Sequence, residues 1–467
     1  MHTRTRGAAV VAALALALAA PAPVHARVRE PFTGVPAPTE AQLQNDMRFR
    51  GELGLRADRA YVKKLFDDAR SGVVQASTGA GAILTSAEDA TVRARTDAVD
   101  HVVDVADDYF KTRRDVYAGM WIDQGLGLVG IGVTQDKAAV ERDLSLLIGP
   151  TSAVWHIETK PVSLDSLYEL QRSIDLAASD LRARSVDISS TSIDEEQNKV
   201  YVGAASDTTT ARQTLETKFS GAPIVVEYEA RPTFDGVGDT NSPPFRGGQE
   251  IKRNAERPGY VYRCTSAFVA YQIERLDAAI FNTTYFLTSA GHCEKAAGTG
   301  TTGALWLQGT NPVGPSERNA FKNGTAADGL AISFSSQFRS NEVAVSGTDN
   351  RAIKCMMTTD VKQGQVEIIS GARTGGYQTG RLVRTNGTVN YTDDSSGVTV
   401  TLVKQNVTDY FSQSGDSGAS VFGTRECRYR AQGVHSGSSV GGSKPLRYYS
   451  PIFQVTKALG LAGIELA

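Results

Sequence analysis

Cysteine, tryptophan, methionine and histidine are all scarce, with 4, 3, 5 and 6 of them in 467 residues. The four cysteines, at 264, 293, 355 and 427, lack the paired short spacing of a zinc site. Only His292 and His435 accompany them in the second half, so no structural metal and no other cofactor is expected. Charge of one sign is missing too: 49 Lys and Arg face 51 Asp and Glu, a net −2. That balance excludes the basic excess of a nucleic-acid binder. Beyond residue 26 no apolar run approaches the ~20 residues needed to cross a bilayer, which excludes a later membrane span.

The one pronounced apolar run is N-terminal. Arg4 and Arg6 precede Ala8 to Ala20, and small residues end the segment at Val24-His25-Ala26. Residues 1–26 therefore read as a signal peptide, the alternative being an N-terminal anchor. An exported chain with an even number of cysteines is expected to form two disulfides. The length predicts two or three domains at about 100–200 residues each.

Residues 27–232 contain no cysteine and read as helices alternating with short strands. Trp121-Ile122-Asp123-Gln124 precedes the apolar run Leu128 to Val133, and Ser192-Ile193-Asp194-Glu195 precedes Val200-Tyr201-Val202, 71 residues later (123 against 194). Amphipathic helices are predicted before each pair, over Val92 to Phe110 and Leu164 to Leu181. After each pair a helix and a strand follow: Lys137 to Leu147 then Ala153 to Ile157, and Thr210 to Phe219 then Ile224 to Tyr228. Two related α+β units are expected. Residues 233–248, with repeated Pro and Gly, read as a linker. Residues 249–467 are rich in Thr, Ser, Val and Gly, which predicts an all-β domain.

Two strings in that domain carry chemistry. Thr288-Ser289-Ala290-Gly291-His292-Cys293 follows an apolar strand, and Ser414-Gly415-Asp416-Ser417-Gly418-Ala419 sets a serine between glycines in a turn. A serine hydroxyl is a weak nucleophile that needs a base within hydrogen-bond reach and a carboxylate to fix that base's tautomer. Only His292 and His435 could serve as the base. The carboxylates between the strings include Asp328, Asp349, Asp360, Asp393, Asp394 and Asp409.

Together, and in this order, the strings resemble the chymotrypsin-like serine peptidases. The resemblance implies a double six-stranded Greek-key β-barrel domain and a catalytic histidine, aspartate and serine in that order along the chain. It selects His292 and Ser417. Asp328 is chosen because Asp328-Gly329-Leu330-Ala331-Ile332 resembles the family's aspartate before an alternating apolar strand. By resemblance, the N–H groups of Gly415 and Ser417 form the oxyanion hole, each donor worth roughly 3 kcal/mol in the transition state. Asp416 becomes a buried acid shaping the loop, held in the active form by a freed α-amino group or an arginine. Cys264 is expected to pair with Cys293, and Cys355 with Cys427.

Gly371-Ala372-Arg373-Thr374-Gly375 and Tyr449-Ser450-Pro451-Ile452 resemble bacterial members such as streptogrisins and alpha-lytic protease. Those are made with long pro-regions, so residues 27–232 are expected to aid folding and inhibit the enzyme until removed. Phe411, six residues before the nucleophile, is expected at the base of the primary specificity pocket. The stretch Gly433 to Ser438 resembles glutamyl endopeptidases, which implies that Ser412, Ser414, His435, Ser436 and Ser438 bind a substrate carboxylate, with Lys444 or Arg447 adding positive potential. The resemblance thus predicts a secreted, monomeric serine endopeptidase acting on proteins or peptides after Glu or Asp. A preference for small or aromatic residues, and a non-catalytic binding protein on the same barrel, are the alternatives.

Overall fold

The computed structural model describes the chain from residue 38 to its end, except residues 39, 71–82, 232, 235–242, 255–260, 276, 278–280, 295–297, 347–348, 393–397, 426, 428 and 440–444. The expected signal peptide, residues 1–26, lies outside the described residues, as does Lys444. None of the described helices is long and apolar enough to cross a membrane.

In the N-terminal half the order helix, two strands, helix, strand occurs twice. Helix Ser86–Phe110 is followed by strands Tyr117–Asp123 and Leu128–Val133, helix Lys137–Ile148 and strand Val154–Thr159. Helix Leu164–Leu176, with a second turn of helix over Ala178–Ala183, is followed by strands Ile188–Asp194 and Lys199–Ala204, helix Thr208–Lys218 and strand Ile224–Tyr228. Corresponding strands start 71 residues apart (117 against 188). In each unit the first two strands pair antiparallel and the third joins parallel. Helix Ser86–Phe110 begins earlier than its apolar spacing suggests because Thr85 and Glu88 form a capping box, a feature worth about 1 kcal/mol. Met120, Ile131, Leu144, Leu167, Ile193 and Leu215 meet in one apolar cluster beneath these sheets.

The C-terminal half is largely β-structure, its described strands lying in two large sheets and a two-stranded pair, Glu342–Ser346 with Asp349–Ala352. Eight strands form one sheet, which includes Val269–Arg275, Phe281–Ser289 and Leu330–Phe334. The other sheet holds Val366–Gly371, Gly376–Thr392, Thr399–Thr408, Ser420–Gly423, Arg430–Ser439 and Leu446–Pro451. It does not stop there: strand Ile188–Asp194 pairs antiparallel with Gly376–Thr392 at Thr385↔Ile193 and Val389↔Ser190, so the sheet runs on into the N-terminal half. A large apolar cluster joins the two C-terminal sheets through Phe268, Leu287, Ile332, Ile368, Val421 and Val434, and Phe49 and Leu53 of helix Glu40–Glu52 belong to it.

The expected linker over 233–248 is structured at both ends. Thr233–Phe234 forms a strand on Arg430–Ser439, and Gly247 N donates to Glu342 O while Gly248 N donates to Ser266 O. The disulfides are Cys264–Cys293 and Cys355–Cys427, closing loops of 29 and 72 residues. In the chain-entropy account each restricts the unfolded state by on the order of 4 kcal/mol.

Helix Glu40–Glu52 docks two carboxylates against the C-terminal half. Burial raises Asp46 to about 6 although Tyr377 OH donates to it at 2.5 Å, and burial raises Glu52 to about 7 beside Arg48 and Arg381. A carboxylate raised in the folded state favours folding fully below its unfolded value near 4. That contribution is lost as pH rises through 4 to 7. The variant Asp46→Asn/Glu52→Gln is therefore expected to raise the urea midpoint of the full chain at pH 8 and leave it unaltered at pH 4; equal shifts at both pH values would show that ionisation is not the cause.

Candidate active site

Strand Phe281–Ser289 is apolar where it enters the core and ends in a short 3-10 turn, Gly291–Cys293, that carries His292. The disulfide Cys264–Cys293 fixes the residue after the histidine to the strand Val261–Thr265. Asp328 stands just before strand Leu330–Phe334, which pairs with Phe281–Ser289 through Ser289↔Leu330. Strand pairing thus brings together two residues that lie 36 apart in the chain. Asp328 Oδ2 lies 2.6 Å from His292 Nδ1, and its Oδ1 accepts from the His292 backbone N–H at 3.0 Å. Both side chains are buried. Asp328 is anchored in turn, its N–H donating to Ser450 Oγ at 2.9 Å while Ser450 Oγ donates to Gln405 Oε1.

Ser417 is fully buried in a turn packed directly on the histidine segment. Gly418 shows how close that packing is. Its φ is +85°, and a Cβ there would lie 2.1 Å from Ser289 Oγ and 2.8 Å from Ala290 N. Thr265 pins the turn at two points, its hydroxyl donating to Gly415 O at 2.6 Å and its N–H to Ser417 O at 2.7 Å. Gly415 has φ +116°, which an L side chain rarely adopts. Ser417 Oγ donates to Ser436 O at 3.4 Å, and Cys293 Sγ lies 4.0 Å from Ser417 O. The histidine turn, the carboxylate and the serine turn therefore meet at one place between the two sheets.

Asp416 is fully buried, and burial raises its carboxyl above the usual range. Its described partners are backbone groups rather than an amine or arginine head group: Gln413 N donates to Oδ2 at 2.8 Å, and Arg373 N and Thr374 N donate to Oδ1 at 2.9 and 3.2 Å. The Gly371 to Gly375 turn thus holds this acid.

No protein-family model matches the chain, and no curated protein matches it. Solved structures similar to part of it include three proteases. Thermobifida fusca protease A has 21% identity and a TM-score of 0.34, over 47% of this chain and 97% of that one. A Cellulomonas bogoriensis chymotrypsin has 22% identity and a TM-score of 0.35, over 48% and 98%. A glutamic-acid-specific serine protease that uses a histidine triad in substrate binding has 22% identity and a TM-score of 0.35, over 47% and 100%.

Around the serine turn the pocket residues fall in different places. His435, Ser436 and Ser438 are buried on strand Arg430–Ser439, and Ser412 is buried opposite them, whereas Ser414 is exposed. Phe411, expected as the pocket base, is 45% exposed. The next residue, Ser412, is buried and accepts from Arg447 Nε at 2.9 Å, and the same guanidinium lies 5.9 Å from the Phe411 ring. Arg447 itself is buried, a costly place for a cation. His435 Nδ1 lies 3.0 Å from Tyr410 OH. Thr265, Tyr410, Gln405 and Ser450 escaped the sequence reading. Thr265, Gln405 and Ser450 are single hydroxyl or amide residues in ordinary strands and Tyr410 follows the end of one, and only Ser450 lies in a string that drew notice.

Cys264, His292 and Cys293 place three metal-ligand atoms within 4.8 Å of one another. Two of them are the sulfurs of one disulfide, so no thiolate is available to hold an ion.

Proposed function

We propose that the chain is a secreted serine endopeptidase, synthesised with an N-terminal pro-region, that cuts peptide bonds after acidic residues. The observation that carries the proposal is the buried Asp328–His292 pair packed against the glycine-flanked turn of Ser417. With Asp328 accepting from Nδ1–H, the imidazole has its lone pair on Nε2 and can take the Ser417 proton as the oxygen attacks a peptide carbonyl. Asp328 then stabilises the imidazolium, and the N–H groups of Gly415 and Ser417 receive the developing oxyanion. The protonated histidine passes its proton to the leaving amine. Water, activated by the same histidine, hydrolyses the acyl-enzyme.

The acidic preference rests on the wall formed by Ser412, His435, Ser438 and Arg447. A buried carboxylate is tolerated only where donors and positive charge meet it. In the tautomer that accepts from Tyr410 OH at Nδ1, His435 holds its proton on Nε2 as a donor, and Arg447 is a cation behind Ser412. Sheet extension from residues 188–194 onto 376–392 supports the pro-region role. It supplies an edge on which a β-domain with mostly non-local contacts can form.

A set of fluorogenic peptides differing only in the residue before the cut bond tests the proposal. Glu or Asp is expected to exceed Phe, Ala and Lys by at least about 100-fold in kcat/KM, and Arg447→Met to erase most of that advantage. A maximum at an aromatic or small residue would leave an endopeptidase without the acid pocket. Absence of any hydrolysis would favour the non-catalytic alternative.

A further inference from the structure

The two halves of the chain meet where strand Ile188–Asp194 pairs with Gly376–Thr392. Four carboxylates of the N-terminal half lie along this seam, and each bridges the halves in the same way. Asp175 Oδ1 accepts from Thr191 Oγ1 of its own half and Oδ2 from Thr388 Oγ1 across the seam, both at 2.7 Å. Glu195 accepts from Met120 N at 2.8 Å and from Thr385 Oγ1 at 3.2 Å. Glu229 accepts from Ser190 Oγ at 2.8 Å and from Tyr448 OH. Asp46 accepts from Ile83 N at 3.2 Å and from Tyr377 OH at 2.5 Å. Glu195, Glu229 and Asp46 are buried, and Asp175 is largely so.

In all four cases the partner across the seam is a neutral hydroxyl. The cations that the C-terminal half turns toward this face have acids of their own: Lys362 has Asp107 at 2.8 Å, Arg381 has Asp123 at 3.6 Å, Arg384 has Glu227 at 4.0 Å, and Arg425 has Asp100. An ionised carboxylate buried against a hydroxyl alone is costly, whereas a protonated one can donate to that hydroxyl. Met120 N–H and Ile83 N–H can only donate. The proton of Glu195 and of Asp46 therefore belongs on the oxygen facing Thr385 or Tyr377, and closing the seam favours protonation. Charged and titratable groups around these acids do not reverse the balance. Lys362, Asp107, Tyr117 and Tyr168 face Glu195; Arg384, Glu227 and Tyr448 face Glu229; Arg50 and Tyr377 face Asp46; Asp175 is met by its two threonines. Burial raises all four acids, Asp46 to about 6.

We propose that the seam between the two halves is a proton-operated latch, closed in acid and loosened as the pH rises, whose working parts are Asp46, Asp175, Glu195 and Glu229. Three of the four facing hydroxyls, Tyr377, Thr385 and Thr388, belong to the one strand Gly376–Thr392, so the latch acts along a single line of sheet. A carboxylate that is raised in the closed seam and ordinary in the open one favours closure fully below its ordinary value near 4. That contribution is lost as the pH climbs through the raised value, each unit of elevation being a factor of ten in the opening equilibrium. For Asp46 the window runs from about 4 to about 6. Under the peptidase function proposed above, the N-terminal half becomes an inhibitor that acid retains, but the latch itself does not depend on turnover.

Amide hydrogen exchange of the full-length Ser417→Ala chain, which lacks the nucleophile, tests the latch at pH 5 and pH 8. After correction for intrinsic rates, protection of residues 188–194 and 376–392 is expected to fall at least about 100-fold between the two, while strand Phe281–Ser289 keeps its protection. The same chain carrying Asp46→Asn, Asp175→Asn, Glu195→Gln and Glu229→Gln, whose amides keep a donor and an acceptor without the charge, is expected to change by less than about threefold. Should that variant not fold, Asp175→Asn alone is to show a smaller fall than its parent. Equal protection at the two pH values, a fall shared equally by Phe281–Ser289, or an undiminished fall in the substituted chains would overturn the proposal. None of these readings involves peptide hydrolysis, so the latch and the peptidase function fail separately.

Discussion

Ser417→Ala is expected to lower kcat for an acidic peptide substrate by a factor on the order of 10⁵ to 10⁶, with KM little altered. The serine oxygen forms the bond on which both half-reactions depend, and nothing nearby can replace it. Its neighbours in the turn are held by groups that the substitution leaves in place. Thr265 still holds Gly415 O and Ser417 O, and Asp416 still holds the backbone of Gln413, Arg373 and Thr374. The fold should therefore survive, and an unaltered urea midpoint beside the lost turnover distinguishes chemistry from unfolding. A fall of less than tenfold would mean that another residue is the nucleophile.

Asp328→Asn is expected to cost on the order of 10⁴ in kcat. In the wild-type chain Oδ1 accepts from His292 N–H and Oδ2 faces Nδ1. An asparagine keeps its oxygen on the backbone N–H and turns its NH₂ toward Nδ1, which must then act as acceptor. The imidazole proton moves to Nε2, the position that has to receive the Ser417 proton. Because Asp328 N–H keeps its bond to Ser450, geometry is preserved while the tautomer is wrong. The effect should fall on kcat rather than KM; a variant with near wild-type kcat would remove Asp328 from the chemistry.

Local strings made some of this legible. The disulfide pairing was implied by the resemblance to the peptidase family, as was the choice of Asp328, whose string resembles that family's aspartate before an alternating strand, the same strand whose pairing with Phe281–Ser289 sets its carboxylate on His292. What the sequence did not disclose depends on contacts between distant residues. Thr265 and Gly415 are 150 positions apart and Asp328 and Ser450 are 122 apart. Thr265 does not differ locally from any other strand hydroxyl, and the string that holds Ser450 says nothing of its bond to Asp328.

Strand Ile188–Asp194 shows a second kind of concealment. Its Ser and Thr content suggests a solvated face, yet every residue is buried. Its hydroxyls are spent on partners in both halves: Ser190 donates to Glu229 and Thr191 to Asp175, which also accepts from Thr388, while Ser192 accepts from Arg384. Periodicity cannot reveal a sheet that continues across two units. The pocket shows a third kind. Counting back from the serine named Phe411, but its ring is half exposed, with the Arg447 guanidinium 5.9 Å from it, and the buried Ser412 next to it takes the hydrogen bond from Arg447.

The most direct test of the central claim is covalent labelling of the protein recovered from the medium, whole or cut, with a fluorophosphonate, which reacts only with an activated hydroxyl. One adduct per chain, mapped to Ser417 and lost in His292→Ala, is the predicted result. A folded protein that takes no label, or takes it elsewhere, would contradict the account.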